Sequence, residues 1–242
     1  MKNERQTGRK TLLRSSLVFA SVVAICLPVT SAQAARVEEA KPDVAAAQLK
    51  IGMDGSQTPE SAKTALSSLN VAEMADKGGY SRKSFPHWKN AAENGWSNVP
   101  SEKCNARNAA LHRDGQNVEF GGDCTRPTGK WVDPYTAGIF DSARDIDIDH
   151  VVPLSHAWRT GAAEWDTEKR TKFANDPLVL VSVENRANRA KGDKAPNEWK
   201  PSNSASHCLY ATRWIHVKAK YQLNVSTDEK GTLTEMLGTC SG

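Results

Sequence analysis

No apolar run in these 242 residues reaches the roughly 20 needed to cross a bilayer as a helix. The longest, LVFASVVAICLPV at 17–29, follows a basic stretch carrying Lys2, Arg5, Arg9, Lys10 and Arg14 and precedes Ala32 and Ala34. That order of basic, apolar and small residues predicts a secretory signal peptide over residues 1–35, cleaved near Ala34 or Ala35. The mature chain is then expected to be secreted and extracellular, with no membrane anchor. Ile25 before Cys26 argues against lipidation, where a small residue is expected. A C-x-x-C pair is missing, which argues against a zinc knuckle or redox dithiol. So is a G-x-S-x-G elbow, which argues against a serine hydrolase of that type. An excess of charge is lacking too. The chain carries 32 Lys and Arg against 28 Asp and Glu, but residues 1–35 hold five of the bases and one of the acids. The remainder is balanced, so bulk charge gives little pull toward a polyanion.

Four cysteines remain after cleavage, an even number in a chain bound for an oxidising compartment. Three connectivities are possible. The sequence-local one, Cys104 with Cys124 and Cys208 with Cys240, is the expected pairing, in a structural role.

Residues 36–57 mix alanine with polar residues without a sustained apolar period and are expected to form a disordered linker. Thr58-Pro59-Glu60-Ser61 marks a helix start, and Ala62, Ala65, Leu66, Leu69 and Met74 extend an amphipathic period toward Gly78-Gly79. Tyr80, Phe85, Trp88 and Trp96 are expected in the core, with a base-stacking platform as the alternative. Residues 145–152 and 178–183 (LVLVSV) have the pattern of strands, with helical sequence between them. Further helices are expected from about Asn185, over 208–221 and over 227–237. There are no internal repeats.

The first of those strands begins DIDIDHVVPLSH at 145. A calcium loop of the D-x-D-x-D type needs Gly at its sixth position and an acid at its twelfth, and His150 and His156 stand there. Alternation alone accounts for Asp145, Asp147 and Asp149 as the polar face of a strand. It does not account for Asp149-His150 before Val-Val-Pro. Proline removes a ladder donor and ends the strand, and a turn there is expected to aim acid and imidazole at one site. The second strand leads into Asn185, Asn188, Arg189, Lys191, Asp193 and Lys194, a dense polar cluster opening a helix.

D-I-D-H-V-V-P-L at 147–154, F-A-N-D-P-L at 173–178 and N-R-A-K-G-D-K-A-P-N-E-W at 188–199 together resemble the HNH nucleases. More narrowly they are similar to the secreted bacterial branch related to the C-terminal nuclease domain of GmrSD restriction enzymes. The likeness extends to Y-S-R-x-x-F-x-x-W at 80–88 and D-P-Y at 133–135. It implies an α+β fold: a ββα-metal (HNH) motif in a mostly helical domain spanning 58–242, stapled by two disulfides. It implies a secreted metal-dependent endonuclease acting on DNA, or alternatively RNA, with low sequence specificity and no obligate protein partner. His150 becomes the general base, and Asp149 and Asn188 become ligands of one divalent cation. The residue types suit that chemistry. Imidazole, with an ordinary pKa of about 6.5, can deprotonate water near neutrality. A few-ligand, all-oxygen set favours Mg²⁺, with Mn²⁺ as the alternative.

Arg144, Arg189, Lys191 and Lys194 flank this set and either hold the substrate backbone or lie as solvated surface charge. Asp147, His156 and Asn185 are candidates for supporting positions around the site. The middle asparagine of HNH proteins, which pins the loop bearing the base, is Val179 here. Asn175 and Asn185 are the candidates to replace it. A domain that lost the site, and only binds nucleic acid or serves as a surface protein, is the alternative function.

Overall fold

A short helix, α1 (Pro42–Ala46), runs into a 3-10 turn (Ala47–Lys50) and takes Ala45 and Leu49 fully out of solvent. The expected disordered linker is thus corrected over its described part. Arg213 donates to the carbonyls of Leu49 and Ile51, and Ala40 and Ile139 exchange backbone bonds with residues 137 and 38 across the gap. Small apolar side chains one helical turn apart give too weak a period to announce this docking. The computed structural model describes residues 38–75 and 78–240. The expected signal peptide lies outside them.

α2 (Pro59–Ser68) starts where expected, with Pro59 in its first turn and Thr58 and Ser61 closing a reciprocal cap. It ends six residues before Met74, because Leu69 turns extended and Val71 bridges to Val225. α3 (Ala106–Asp114) is capped by Asn105 and leads into a three-stranded antiparallel meander. Its strands are β1 (Gly115–Gly121), β2 (Thr125–Val132) and β3 (Ile139–Ser142), paired through irregular registers.

β4 (Ile146–His150) then pairs antiparallel with β5 (Leu180–Glu184). Between these two come α4 (Leu154–Arg159) and α5 (Thr167–Asn175), and α6 (Asn185–Lys191) follows β5 without a loop. α7 (His207–Tyr221) and α8 (Thr227–Leu237) complete the frame. The architecture is α+β, as expected, with both disulfides in the expected pairing: Cys104–Cys124 and Cys208–Cys240, Cα atoms 5.2 and 5.0 Å apart.

Two apolar clusters position the site. The larger packs β5, α4 and α5 against α7 and α8 around Phe173, Val181, Tyr210, Trp214 and Leu233. The smaller joins α3 and β2 to one face of β4 through Trp96, Leu111, Trp131, Ile146 and Ile148. Burying each isoleucine contributes about 1.5–3 kcal/mol and fixes which face of β4 points inward.

Candidate active site

Successive strand residues point to opposite sides. Ile146 and Ile148 enter the smaller core, and His150 shares their side of β4; Asp147 and Asp149 face the other way. The ladder stays regular to the end: His150 opposes Leu180, and the Val151 N–H donates to the Val179 carbonyl at 2.9 Å. The strand ends at His150, and the chain bends only beyond it, at Val151 and Val152, so the expected turn comes too late to bring Asp149 and His150 to one face. Pro153 lies two residues beyond the last ladder bond, too far along to interrupt it.

On the aspartate face, α6 folds back over β4. Asn188 and Lys191, three apart, share one face of the helix and are separated by about 4.5 Å along its axis. Asp147 and Asp149 lie about 6.6 Å apart on the strand, so the two pairs can meet side by side. Asn188 Nδ2 donates to Asp147 Oδ2 at 3.2 Å, and Lys191 Nζ donates to Asp149 Oδ1 at 2.9 Å and to the His150 carbonyl at 3.1 Å. The Tyr135 hydroxyl donates to the other oxygen, Asp149 Oδ2, at 2.7 Å. Tyr135 follows β2 in a turn held by Asp133, which accepts from the Glu184 N–H at 3.0 Å.

Asp149 is 5% exposed and Lys191 fully buried. Burial pushes the Asp149 carboxyl up and the Lys191 ammonium down, and each partner offsets the shift of the other. Burial, with the Asp149 charge next, raises the Tyr135 hydroxyl well above its ordinary range and keeps it a donor.

On the opposite face, burial drives the His150 imidazole down to about 3, so it is neutral near pH 7. Its Nε2 lies 3.0 Å from the Ala174 carbonyl. A carbonyl only accepts, so Nε2 carries the proton and Nδ1 is the basic nitrogen. The Trp88 ring lies over it, 5.9 Å away and tilted 36°, and the His87 ring stands edge-on at 6.4 Å.

Trp88 has φ +60°. That conformation is rare for a bulky aromatic and costs on the order of 1–3 kcal/mol. Asn175, fully buried at the end of α5, holds the strained segment. Its Oδ1 accepts from the Lys89 N–H at 2.8 Å, and its Nδ2 donates to the carbonyls of Pro86 at 2.9 Å and Thr171 at 2.8 Å. Its own carbonyl accepts from Trp96 Nε1 at 2.7 Å. Asn175 thus pins residues 86–89 beside Ala174, whose carbonyl orients His150, while Val179 is only core. The other candidate, Asn185, binds the Arg144 carbonyl at 3.2 Å and so fastens α6 to the corner before β4.

Arg144, Arg189 and Lys194 are exposed; Arg189 donates to Asn185 Oδ1 at 2.9 Å and Lys194 to the Ala190 carbonyl at 2.8 Å. Lys191 stands apart from them, buried on Asp149. His156 lies elsewhere, fully buried against Trp214 with Nε2 3.4 Å from Glu229.

Among the described residues no three His, Cys, Asp or Glu side chains form a cation-holding group. A cation here would therefore rely on the two carboxylates of β4 together with the amide oxygen of Asn188. That hard, all-oxygen set suits Mg²⁺ with several waters. Asp149 fits it through lone pairs that Tyr135 and Lys191 leave over, since a carboxylate accepts up to about four bonds.

Residues 123–236 match the family described as GmrSD restriction endonucleases, C-terminal domain. A protein of Arthroderma benhamiae described as an uncharacterized secreted protein is 44% identical over 181 residues, covering 74% of this chain and 84% of that one. The chain belongs to the GmrSD C-terminal domain family. No solved structure matches it. The segment matched to the GmrSD C-terminal domain holds Tyr135, Asp147, Asp149, His150, Asn188 and Lys191; it leaves out residues 80–96, which supply Trp88 and His87.

Trp88 and Tyr135 stand in stretches that carry the resemblance, Y-S-R-x-x-F-x-x-W and D-P-Y, but had no role assigned to them; His87 and the buried part played by Lys191 were not read. Lys191 left a readable sign: its i, i+3 relation to Asn188 puts it on the same helix face, opposite the second of two aspartates spaced i, i+2.

Proposed function

We propose that the chain is a secreted, metal-dependent endonuclease that hydrolyses phosphodiester bonds in DNA, with His150 as general base. The observation that supports it most is the strand β4 itself. A neutral imidazole of fixed tautomer lies on one face, an oxygen-rich set on the other, and β5 pairs with only one edge. In this reading the phosphate is taken up at the His150 end of β4, between the two faces. Membership of a restriction-endonuclease domain family supports nuclease chemistry, and the naming of the Arthroderma benhamiae relative as secreted, with two disulfides here, supports an extracellular setting. No helix among the described residues is long and apolar enough to cross a membrane.

In this reading His150 Nδ1 takes the proton of the attacking water, while the Nε2–H bond to Ala174 keeps the ring in the tautomer that can do so. The imidazolium that forms is stabilised by the phosphate anion beside it, which raises the proton affinity that burial had lowered. Asp149 and Asn188, with Asp147 next to them, would hold one Mg²⁺, or Mn²⁺ in its place. When bound, the cation supplies positive charge to the phosphate as charge builds on the leaving 3′-oxygen. Lys191 and Tyr135 fix the Asp149 carboxylate. Arg144, Arg189 and Lys194 contact the nucleic-acid backbone, which gives low sequence specificity. The products are 5′-phosphate and 3′-hydroxyl ends. Asn175 already fastens the segment beside the base, so Val179 is no argument for an inactive, merely binding domain.

Mature protein incubated with plasmid and Mg²⁺ should nick and then degrade it, and EDTA or His150→Ala should each stop the cleavage. Cleavage that survives both, or intact plasmid beside a persisting gel shift, would overturn the mechanism.

A further inference from the structure

Tyr80, Phe85, Trp88 and Trp96 divide in the fold. Phe85 and Trp96 are core, at 0% and 7% exposure, whereas Tyr80 is 39% exposed and Trp88 is half-buried. Of the four, only Trp88 has a ring contact with His150 among the described residues. Its indole stands 5.9 Å from the imidazole and tilted 36° to it, while the His87 ring meets it edge-on at 5.1 Å. Trp88 is held there at φ +60°, and the buried Asn175 amide binds the backbone on both sides of it, at the Pro86 carbonyl and the Lys89 N–H. A bulky aromatic in that conformation is strained. Packing does not require the strain: Trp96 enters the core with an ordinary backbone, and Trp88 stays partly in water. The indole N–H groups of Trp96, Trp131 and Trp214 each donate to a protein oxygen, but that of Trp88 has no such partner among the described residues. The ring is thus fixed beside His150 with aromatic surface and a donor unspent.

We propose that Trp88 is the stacking platform for the nucleobase next to the scissile phosphate, which makes an unpaired DNA strand the preferred substrate. This rests on the nuclease reading: a phosphate taken up at His150 carries its nearest base to the neighbourhood of the indole. Every base presents a π-face, so stacking adds affinity without reading sequence. Inside a duplex both faces of a base are covered by its neighbours, so only an unpaired or extruded base can meet the ring. A platform already held by its backbone and by Asn175 loses little freedom when the base arrives. Trp88 takes no part in proton transfer, and it lies outside the residues matched to the family. Supercoiled plasmid remains a substrate wherever its duplex opens.

Anisotropy of a fluorescein-labelled oligodeoxynucleotide in EDTA, as a single strand and as a hairpin duplex of the same bases, separates stacking from turnover. Wild-type protein should bind the single strand about tenfold more tightly. Trp88→Leu should lose about that factor on the single strand, lose little on the duplex, and keep the slope of log K against log salt, because no phosphate contact is removed. Trp88→Phe should retain most of the preference, which a folding defect would not permit. With Mg²⁺, wild-type cleavage of a strand carrying one abasic position should drop at the bonds beside it, and Trp88→Leu should cut that strand evenly. The abasic strand tests the wild-type protein itself, so it decides even where Trp88→Leu fails to fold. Wild-type protein that cuts but favours the duplex, or cuts evenly past the abasic position, would overturn the platform and leave the nuclease reading standing; so would a folded Trp88→Leu variant that keeps the preference. Wild-type protein that neither binds nor cuts either form would overturn both.

Discussion

Lys191 and Asp149 meet at 2.9 Å with both side chains almost completely out of solvent. The strand presents the carboxylate, the helix delivers the ammonium, and the Tyr135 hydroxyl and His150 carbonyl satisfy what remains. Desolvating both charges makes such a pair a poor source of net stability, but breaking it from one side is expensive. Its role here is to fix where one carboxylate oxygen points.

Lys191→Met should therefore destabilise the protein by about 3–5 kcal/mol, because Asp149 is left buried and uncompensated. Adding Asp149→Asn should recover a large part of that loss while leaving activity abolished. Urea midpoints of the two single variants and the double variant check this; additive losses would show that the residues are not coupled.

Asn175→Ala should release residues 86–89 and leave a backbone donor and two carbonyls to find other partners. The expected cost is about 2–4 kcal/mol, with cleavage reduced at least tenfold as Trp88 and the Ala174 carbonyl lose their common anchor. Asn185→Ala, which frees only the Arg144 carbonyl and an exposed arginine, should cost under about 1 kcal/mol. Denaturant melts and plasmid assays on the pair decide which asparagine holds the segment beside His150.

Acid sensitivity follows from His156. Burial lowers its imidazole from 6.5 to about 4 against Trp214, Lys218 and Glu229. The folded value is depressed, so the unfolded chain binds the proton first. The stabilising contribution is complete above pH 6.5 and is lost as pH falls toward 4, by on the order of 3 kcal/mol. Melting temperature should drop across that window, and His156→Gln should make the drop smaller, leaving the part that buried His150 contributes.

Each disulfide closes a modest loop, with partners 20 and 32 residues apart. In the chain-entropy account, opening them should cost about 3 and about 4 kcal/mol respectively. Cys208→Ser with Cys240→Ser unfastens α7 from the end of α8, and Cys104→Ser with Cys124→Ser frees the approach to α3. Denaturation of oxidised, reduced and paired-serine forms should reproduce that order.

The helices were legible where local chemistry defines them. Thr58 and Ser61, Asp166, and Ser226 with Glu229 are cap residues that satisfy free N–H groups within four residues of chain. β4 and β5 were legible from alternation and β-branching. The meander β1–β3 was not, because Val118, Phe120 and Trp131 are scattered among glycine, proline and charged residues and the pairing is bulged.

By itself the sequence singled out the candidate residues Asp149, His150 and Asn188, with Asp147 beside them, the preferred disulfide pairing and most helix starts, because each depends on residue type and short spacing. Tertiary structure decided the rest. It set Asp149 and His150 on opposite faces, since a ladder bond at Val151 outweighs a proline two residues on. It gave Asn188 to Asp147 and Lys191 to Asp149, since helix and strand rises bring those pairs into register. It brought Tyr135, His87, Trp88 and Asn175 to the site from distant segments, since buried polar groups must find partners wherever packing puts them.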